Sequence, residues 1–117
     1  MNRPKTIFCD IDGTLINHNP PNEVYKTKPV LLDGTIEKLI EWDRKGYNII
    51  LTTGRRESLR SITERQLESC GIFYDKLIMG IGGGVRVLIN DLKEDASFET
   101  AIAVNLVRNK GIKNVKI

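Results

Sequence analysis

Thr6-Ile7-Phe8-Cys9-Asp10-Ile11-Asp12-Gly13-Thr14 opens as a β-branched and aromatic run, turns acidic and stops at a glycine. An apolar run that ends at Gly reads as a buried strand leading into a turn. Downstream of it the chain alternates. Asp33 is placed to cap a helix through Lys45, with Ile36, Leu39, Ile40 and Asp43 on one side and Gly46 where a left-handed cap belongs. Trp42 falls beside that stripe, which predicts partial burial. Residues 47–52 make a second strand, ending at Thr53-Gly54-Arg55. A second helix runs from about Glu57 to Cys70, with Leu59, Ile62, Leu67 and Cys70 inward and Gly71 closing it. Residues 76–79 are a short third strand, followed by the flexible turn Gly82-Gly83-Gly84. Residues 85–90 read as a fourth strand ending at Asp91, Ser97 caps a last helix through Lys110, and residues 115–117 form a fifth strand.

Strands alternating with helices of ten or more residues imply right-handed crossovers. The expected fold is a Rossmann-like three-layer α/β/α arrangement around a mostly parallel five-stranded sheet. In such a sheet the ligand site lies outside the carboxyl ends of the strands. Asp10 and Asp12, Thr53 and Arg55, and Asn90 and Asp91 all stand at strand ends, so the fold predicts that they converge on one crevice.

Composition narrows the class. The chain's 117 residues carry 18 Lys or Arg against 15 Asp or Glu, a formal charge of +3. At 13.2 kDa the surface of a folded monomer is expected to be roughly 6,400 Å², enough for one core and not for two. A charge so small and so evenly spread does not argue for nucleic acid, and the basic last ten residues hold no aromatic to stack a base. The longest uncharged apolar stretch, residues 47–51, is far short of a membrane span. Two cysteines, Cys9 and Cys70, make no disulfide framework, and no apolar signal region precedes the first strand; the expected compartment is the cytoplasm.

Two carboxylates two residues apart at a strand end, joined by a third from another strand, raise one another's pKa or recruit a cation. Oxygen-rich sites of this kind suit Mg²⁺, which commonly holds phosphate in its remaining positions. Thr53 adds a hydroxyl, and the turn at Gly54 can present backbone N–H groups to an anion. A divalent metal, an anion pocket and a carboxylate able to attack are what phosphoryl transfer through an aspartyl-phosphate requires.

These residues also carry a family resemblance. Asp10-Ile11-Asp12-Gly13-Thr14 resembles the first motif of the haloacid dehalogenase-like (HAD) phosphohydrolases, Thr53 matches the second, and Asp91, within Asn90-Asp91-Leu92-Lys93-Glu94-Asp95, matches the fourth. The resemblance implies Asp10 as nucleophile and Asp12 as general acid and then base. It implies Mg²⁺ held by Asp10, the Asp12 backbone carbonyl and Asp91. Thr53 would then bond the transferring group, with Gly13, Thr14, Gly54 and Arg55 contributing to phosphate or substrate binding. Arg55 stands equally to contact substrate or to pair with Glu57, and Asp95 either to support the metal loop or to favour the N-terminus of the last helix by its charge.

One departure is informative. The superfamily's third motif is a Lys or Arg between the third and fourth strands, and Ile81 stands where a common pattern has Lys. Arg86 is the preferred substitute, with Lys76 the other available cation. Neither gap between motifs is long enough for an inserted cap domain. The chain therefore resembles the cap-less type: a single domain over residues 1–117, with residues 15–32 as a small flap. The overall pattern is similar to small HAD proteins of capsule and surface-polysaccharide biosynthesis, so the expected substrate is a sugar phosphate. The expected partners are a small phosphorylated substrate and, because the site is open, a second copy of the chain; no nucleic acid or membrane is expected. A non-hydrolytic phosphoacceptor module and a phosphotransferase or mutase are the competing readings.

Overall fold

The computed structural model describes residues 3–94 and 98–117. Its parallel sheet has the order β1 (Thr6–Asp10), β2 (Asn48–Thr52) and β3 (Lys76–Ile78). Helix α1 (Thr35–Arg44) crosses from β1 to β2; a 3-10 turn (Glu57–Leu59) and helix α2 (Arg60–Ser69) cross from β2 to β3. The register sets Asp10 opposite Thr52, and Thr52 opposite Ile78, so all three strands stop on one line. That common rim is what positions the site.

Both helices end as their glycines demand. Gly46 (φ 76) and Gly71 (φ 76) take the left-handed conformation. The amides of Gly46 and Tyr47 donate to the carbonyls of Asp43 and Trp42, and those of Gly71 and Ile72 to Glu68 and Leu67. Paired bonds of this kind satisfy the last carbonyls of a helix. The start of α1 differs from expectation: Gly34, not Asp33, precedes the helix, with no side-chain cap. The Asp33 carbonyl instead accepts from the amides of Ile112 and Lys113, and the Thr35 hydroxyl donates to the Leu15 carbonyl at 2.7 Å.

Leu39, Leu67, Ile49, Leu51, Ile11 and Leu15 fill the core between the helices and one face of the sheet. Trp42 is fully buried and Ile40 is exposed, the reverse of the stripe read from sequence. The contact face of α1 centres on Leu39, and residues 35 and 42, each one turn away, share it. The other sheet face is open. Phe8 is 56% exposed and Ile78 is also exposed.

The expectation of five strands is corrected to three among the described residues. Residues 85–90 form no strand and the described part of 97–110 forms no helix; Val115 and Ile117 pack against the core without their segment joining the sheet. Ser97 and Asp95 lie outside the described residues. A strand needs a partner edge, and an amphipathic helix of this length needs a surface to bury its apolar side. Neither is met by this segment within its own chain.

The chain re-enters the body at residues 108–113. Asn109, in the left-handed conformation (φ 65), donates its amide to the Gly13 carbonyl and accepts from the His18 amide on its side chain at 2.8 Å. Gly111 (φ 84) lies so close to Asp33 that a β-carbon there would overlap the Asp33 carbonyl and stand 2.6 Å from its amide nitrogen. Gly111→Ala therefore combines a disfavoured φ with a backbone collision, and is expected to destabilise by about 2–4 kcal/mol. A urea midpoint unchanged from the parent would contradict this contact.

Candidate active site

Asp10 ends β1, and the chain turns at once. The amides of Thr14, Leu15 and Ile16 all donate to the Ile11 carbonyl, and Gly13 (φ 85) closes the loop by donating to the Ile16 carbonyl at 2.7 Å. The Gly13 and Thr14 amides are thus engaged inside the turn. What Thr14 does is donate its hydroxyl to Asp10 Oδ2 at 3.3 Å. The Asp12 and Gly54 amides make no hydrogen bond among the described residues and are the donors left for an anion. The Asp12 carbonyl likewise accepts none.

Thr53 arrives from the end of β2 and is buried. Its hydroxyl oxygen accepts from the Arg55 amide at 3.1 Å, which leaves its O–H hydrogen without an acceptor among the described residues. The Gly54 position is tight: a β-carbon would meet the Gly82 carbonyl oxygen at 2.8 Å. That approach is held by the amides of Gly80 and Ile81, which donate to the carbonyls of Arg55 and Thr53.

Arg55 is not free to meet a substrate, and it does not pair with Glu57. Its Nη2 and Nε donate to the two Asp12 oxygens at 2.7 and 2.9 Å, and its Nη1 donates to Gln66 Oε1 at 2.7 Å. Thr63 Oγ1 lies 3.3 Å from the same Nη1, and the Tyr25 ring stacks 5.1 Å from the guanidinium. With only 6% of its side chain exposed, Arg55 is a positioning residue for Asp12. Glu57 instead pairs with Arg60. Tyr25, Thr63 and Gln66 form a cradle that sequence reading missed, since no local pattern links positions about forty residues apart. They also tie the segment around Val24 to α2: Gln66 Nε2 donates to the Val24 carbonyl at 2.9 Å, and the Tyr25 and Thr63 hydroxyls are 3.1 Å apart.

Electrostatics set the two carboxylates apart. Desolvation is the largest influence on Asp10 and raises its pKa, with the Asp12 charge adding to it. The Ile11 amide, the Thr14 hydroxyl and the Arg86 charge oppose the rise without cancelling it. For Arg55, burial works to lower the pKa, but the bonds and charge of Asp12 outweigh it and the pKa is raised. Cys9, buried beside Asp10, has its thiol pushed up to about 12 by burial and then by the Asp10 charge, which makes it an inert core residue.

Of the two third-motif cations, Arg86 has a charge felt at Asp10. Lys76 does not fit: it pairs with Ile50, short of the strand ends, and lines a hollow with Thr6, Asn48 and Asp75. Asp91 is not gathered with Asp10 and Asp12 within one chain: it lies on an exposed segment, its side chain 72% exposed and ion-paired with Lys93. Among the described residues no three carboxylate, His or Cys side chains gather as a metal site. Asp10 and the unengaged Asp12 carbonyl suit Mg²⁺, which needs only one or two protein oxygens and keeps several waters. A cation would also offset the desolvation and, after it, the Asp12 charge that raise the Asp10 pKa.

Comparison with known proteins bears on this arrangement. The sequence model of the polynucleotide kinase PNKP phosphatase domain matches residues 4–111. Among solved structures, a chain of the Pnkp1/Rnl/Hen1 complex is 33% identical over 72% of this chain and 30% of that one, with a TM-score of 0.59. A chain of the Pnkp1/Rnl/Hen1 RNA repair complex is 35% identical over 65% of this chain and 25% of that one, with a TM-score of 0.56. A Vibrio cholerae protein shares the fold at 23% identity, covering 74% of this chain and 79% of its own, with a TM-score of 0.56. The chain thus spans less than a third of the length of the first two. No curated protein matches it.

Proposed function

Since the chain belongs to the polynucleotide kinase PNKP phosphatase domain family of HAD phosphatases, we propose that it hydrolyses phosphate monoesters through an aspartyl-phosphate on Asp10. The observation that carries this reading is Asp10 at the rim of β1, opposite the strand end that delivers Thr53, with Asp12 held by Arg55 two residues on. An Asp10 oxygen bonds to phosphorus as the ester oxygen leaves. Asp12 gives the departing oxygen a proton, then takes one from the water that attacks the acyl phosphate and returns the free Asp10 carboxylate. Both Asp12 oxygens are engaged by Arg55, so this proton traffic requires Asp12 to release at least one of those bonds as substrate enters. The Thr53 hydroxyl and the Asp12 and Gly54 amides bind the transferring phosphoryl oxygens, and Arg86 offsets their charge. Asp10 and the Asp12 carbonyl would hold Mg²⁺, which would supply neutralisation of the negative charge at the site.

Residues 1–117 act as one phosphohydrolase domain without a cap, with residues 15–32 as the flap, and the preferred substrate is a small sugar phosphate such as polysaccharide biosynthesis uses. A phosphorylated polynucleotide end is the second reading, favoured by the family match. The test is phosphate release, with Mg²⁺, from an aryl phosphate, a panel of sugar phosphates, and 3′- and 5′-phosphorylated oligonucleotides. Release from the sugar phosphates is expected; release from oligonucleotides alone would install the second reading. No release, and no phosphoenzyme, from any of them would overturn the hydrolase.

Two further outcomes are expected. EDTA abolishes release and added Mg²⁺ restores it; indifference to both would refute a metal role. Asp12→Asn slows turnover by about 10²–10⁴-fold and leaves acid-stable phosphoenzyme on the chain, which a labelled phosphoryl group would reveal.

A further inference from the structure

Residues 82–94 and 98–107 form an arm that stands away from the body. Every described residue from Ile81 to Glu94 is exposed, Val85 at 93% and Ile89 at 90%. Ten of the eighteen exposed large apolar side chains among the described residues lie on it. Its two legs are tied by Asn90 Nδ2 donating to the Thr100 carbonyl at 3.2 Å and by the Thr100 hydroxyl donating to the Asp91 carbonyl. Both roots are anchored, through Ile81 to Thr53 and through Asn109 to Gly13. The molecule is 50 Å long and only 27 × 25 Å across. Its surface is 8,530 Å², against roughly 6,400 Å² for an ordinary folded monomer of this mass.

The body meanwhile has what the arm lacks. Among the described residues β1 is hydrogen-bonded to β2 alone, so its outer edge is open, and the sheet face carrying Phe8 and Ile78 is uncovered. Water-exposed apolar limbs and open strand edges of this kind are expected to find partners.

We propose that the partner is a second copy of this chain: two chains exchange arms, each arm lying along the β1 edge of the other and bringing its Asp91 beside the other's Asp10 and Asp12. Area supports the occupant. Burying the excess on both chains removes roughly 4,000 Å² in total, within the range of obligate homodimers and well above a transient contact. Symmetry supports it too, because each chain both gives and receives an arm and the exchange closes after two copies. The choice of edge follows from spacing. Asp91 ends the β-branched run 85–90 as Asp10 ends β1; a neighbouring parallel strand sits ~4.8 Å away, so beside β1 the two carboxylates share one cation, whereas beside β3 they stand about 14 Å apart. The hinge is present as well: Gly80 (φ 75) and Gly82 (φ 78) take conformations that suit glycine, and a β-carbon added at Gly82, Gly83 or Gly84 would meet nothing within 4 Å. Arg86, at the root, stays with its own chain's Asp10. The contribution of Asp91 rests on the phosphatase reading above; the exchange of arms does not.

Light scattering on the eluting full chain tests the exchange without reference to activity. A mass near twice 13.2 kDa is expected, and the mass of one chain would overturn it. Complementation tests Asp91. Asp10→Asn and Asp91→Asn chains, each inactive alone and each folded by circular dichroism, are coexpressed. A mixed dimer has one site with Asp10 from one chain and Asp91 from the other, so random pairing restores about a quarter of parental activity. No recovery in coexpressed chains, with the parent active and dimeric, would overturn the contribution of Asp91 across the dimer. A dimeric parent that hydrolyses nothing would sink the phosphatase reading and leave the exchange standing.

Discussion

Asp10→Asn is expected to abolish phosphate release, with a loss on the order of 10³–10⁶-fold, while the fold remains. The substitution keeps the shape of the side chain and removes its attacking oxygen. Structurally it disturbs little, because Asp10 stands at the strand end and, among the described residues, its carboxylate is bonded only to the Thr14 hydroxyl and the Ile11 amide. The sign of the stability change follows from the raised pKa. A carboxyl whose folded pKa lies above its unfolded value stabilises the fold when protonated, and that contribution is lost as pH rises through the folded pKa. At neutral pH the charged Asp10 is therefore a liability, and the neutral amide is expected to melt at the same temperature as the parent or slightly above it. Thermal melts and single-turnover phosphate release check both halves. Undiminished release would remove Asp10 from the chemistry, and a collapsed fold would show that the residue is structural.

Arg55→Ala is expected to be the most destabilising single change in the site, by about 3–5 kcal/mol, and to inactivate the chain. The guanidinium holds both Asp12 oxygens, Gln66 and the Tyr25 ring, almost entirely out of water. Removing it strands the Asp12 carboxylate in a largely buried site without its partner. Lysine is not a substitute, since one ammonium cannot meet two carboxylate oxygens, an amide oxygen and a ring face together. Arg55→Lys is accordingly expected to recover only a minor part of the loss. Asp12→Asn in the Arg55→Ala background should recover more stability, because the stranded charge is gone. Urea unfolding of the four chains measures the coupling, and strict additivity would show that the pair does not act as a unit.

The elements that sequence reading placed correctly are those with local causes. β1, β2 and β3 follow from short apolar runs, and α1 and α2 from apolar residues at helical spacing. Gly46 and Gly71 close their helices through bonds spanning a few residues. The placement of Asp10 at the rim of a strand and of Thr53 just beyond the end of the next belongs to the same class, since it needs only the alternation of strand and crossover. Trp42 marks the boundary of this reasoning. Its helix was legible, but the face that α1 turns inward depends on what it packs against.

Positions decided by partners far along the chain were not legible in that way. Arg55 finds Asp12 across 43 residues, and nothing in the local sequence distinguishes that partner from the nearby Glu57. Asn109 finds Gly13 and His18 across the whole molecule. Sequence by itself determined that Asp10 ends the first strand, that Asp12 follows it into a glycine turn and that Thr53 lies just beyond the end of the second strand, because strand alternation and glycine turns are short-range preferences of the backbone; that only Cys9 of this strand is buried was decided by the tertiary structure. Only the tertiary structure decided that Arg55 serves Asp12 rather than a ligand, and that Asp91 rides on an exposed arm instead of a fourth strand. Those outcomes depend on which strand edges and sheet faces the folded chain leaves open, a competition among distant surfaces that local patterns do not encode.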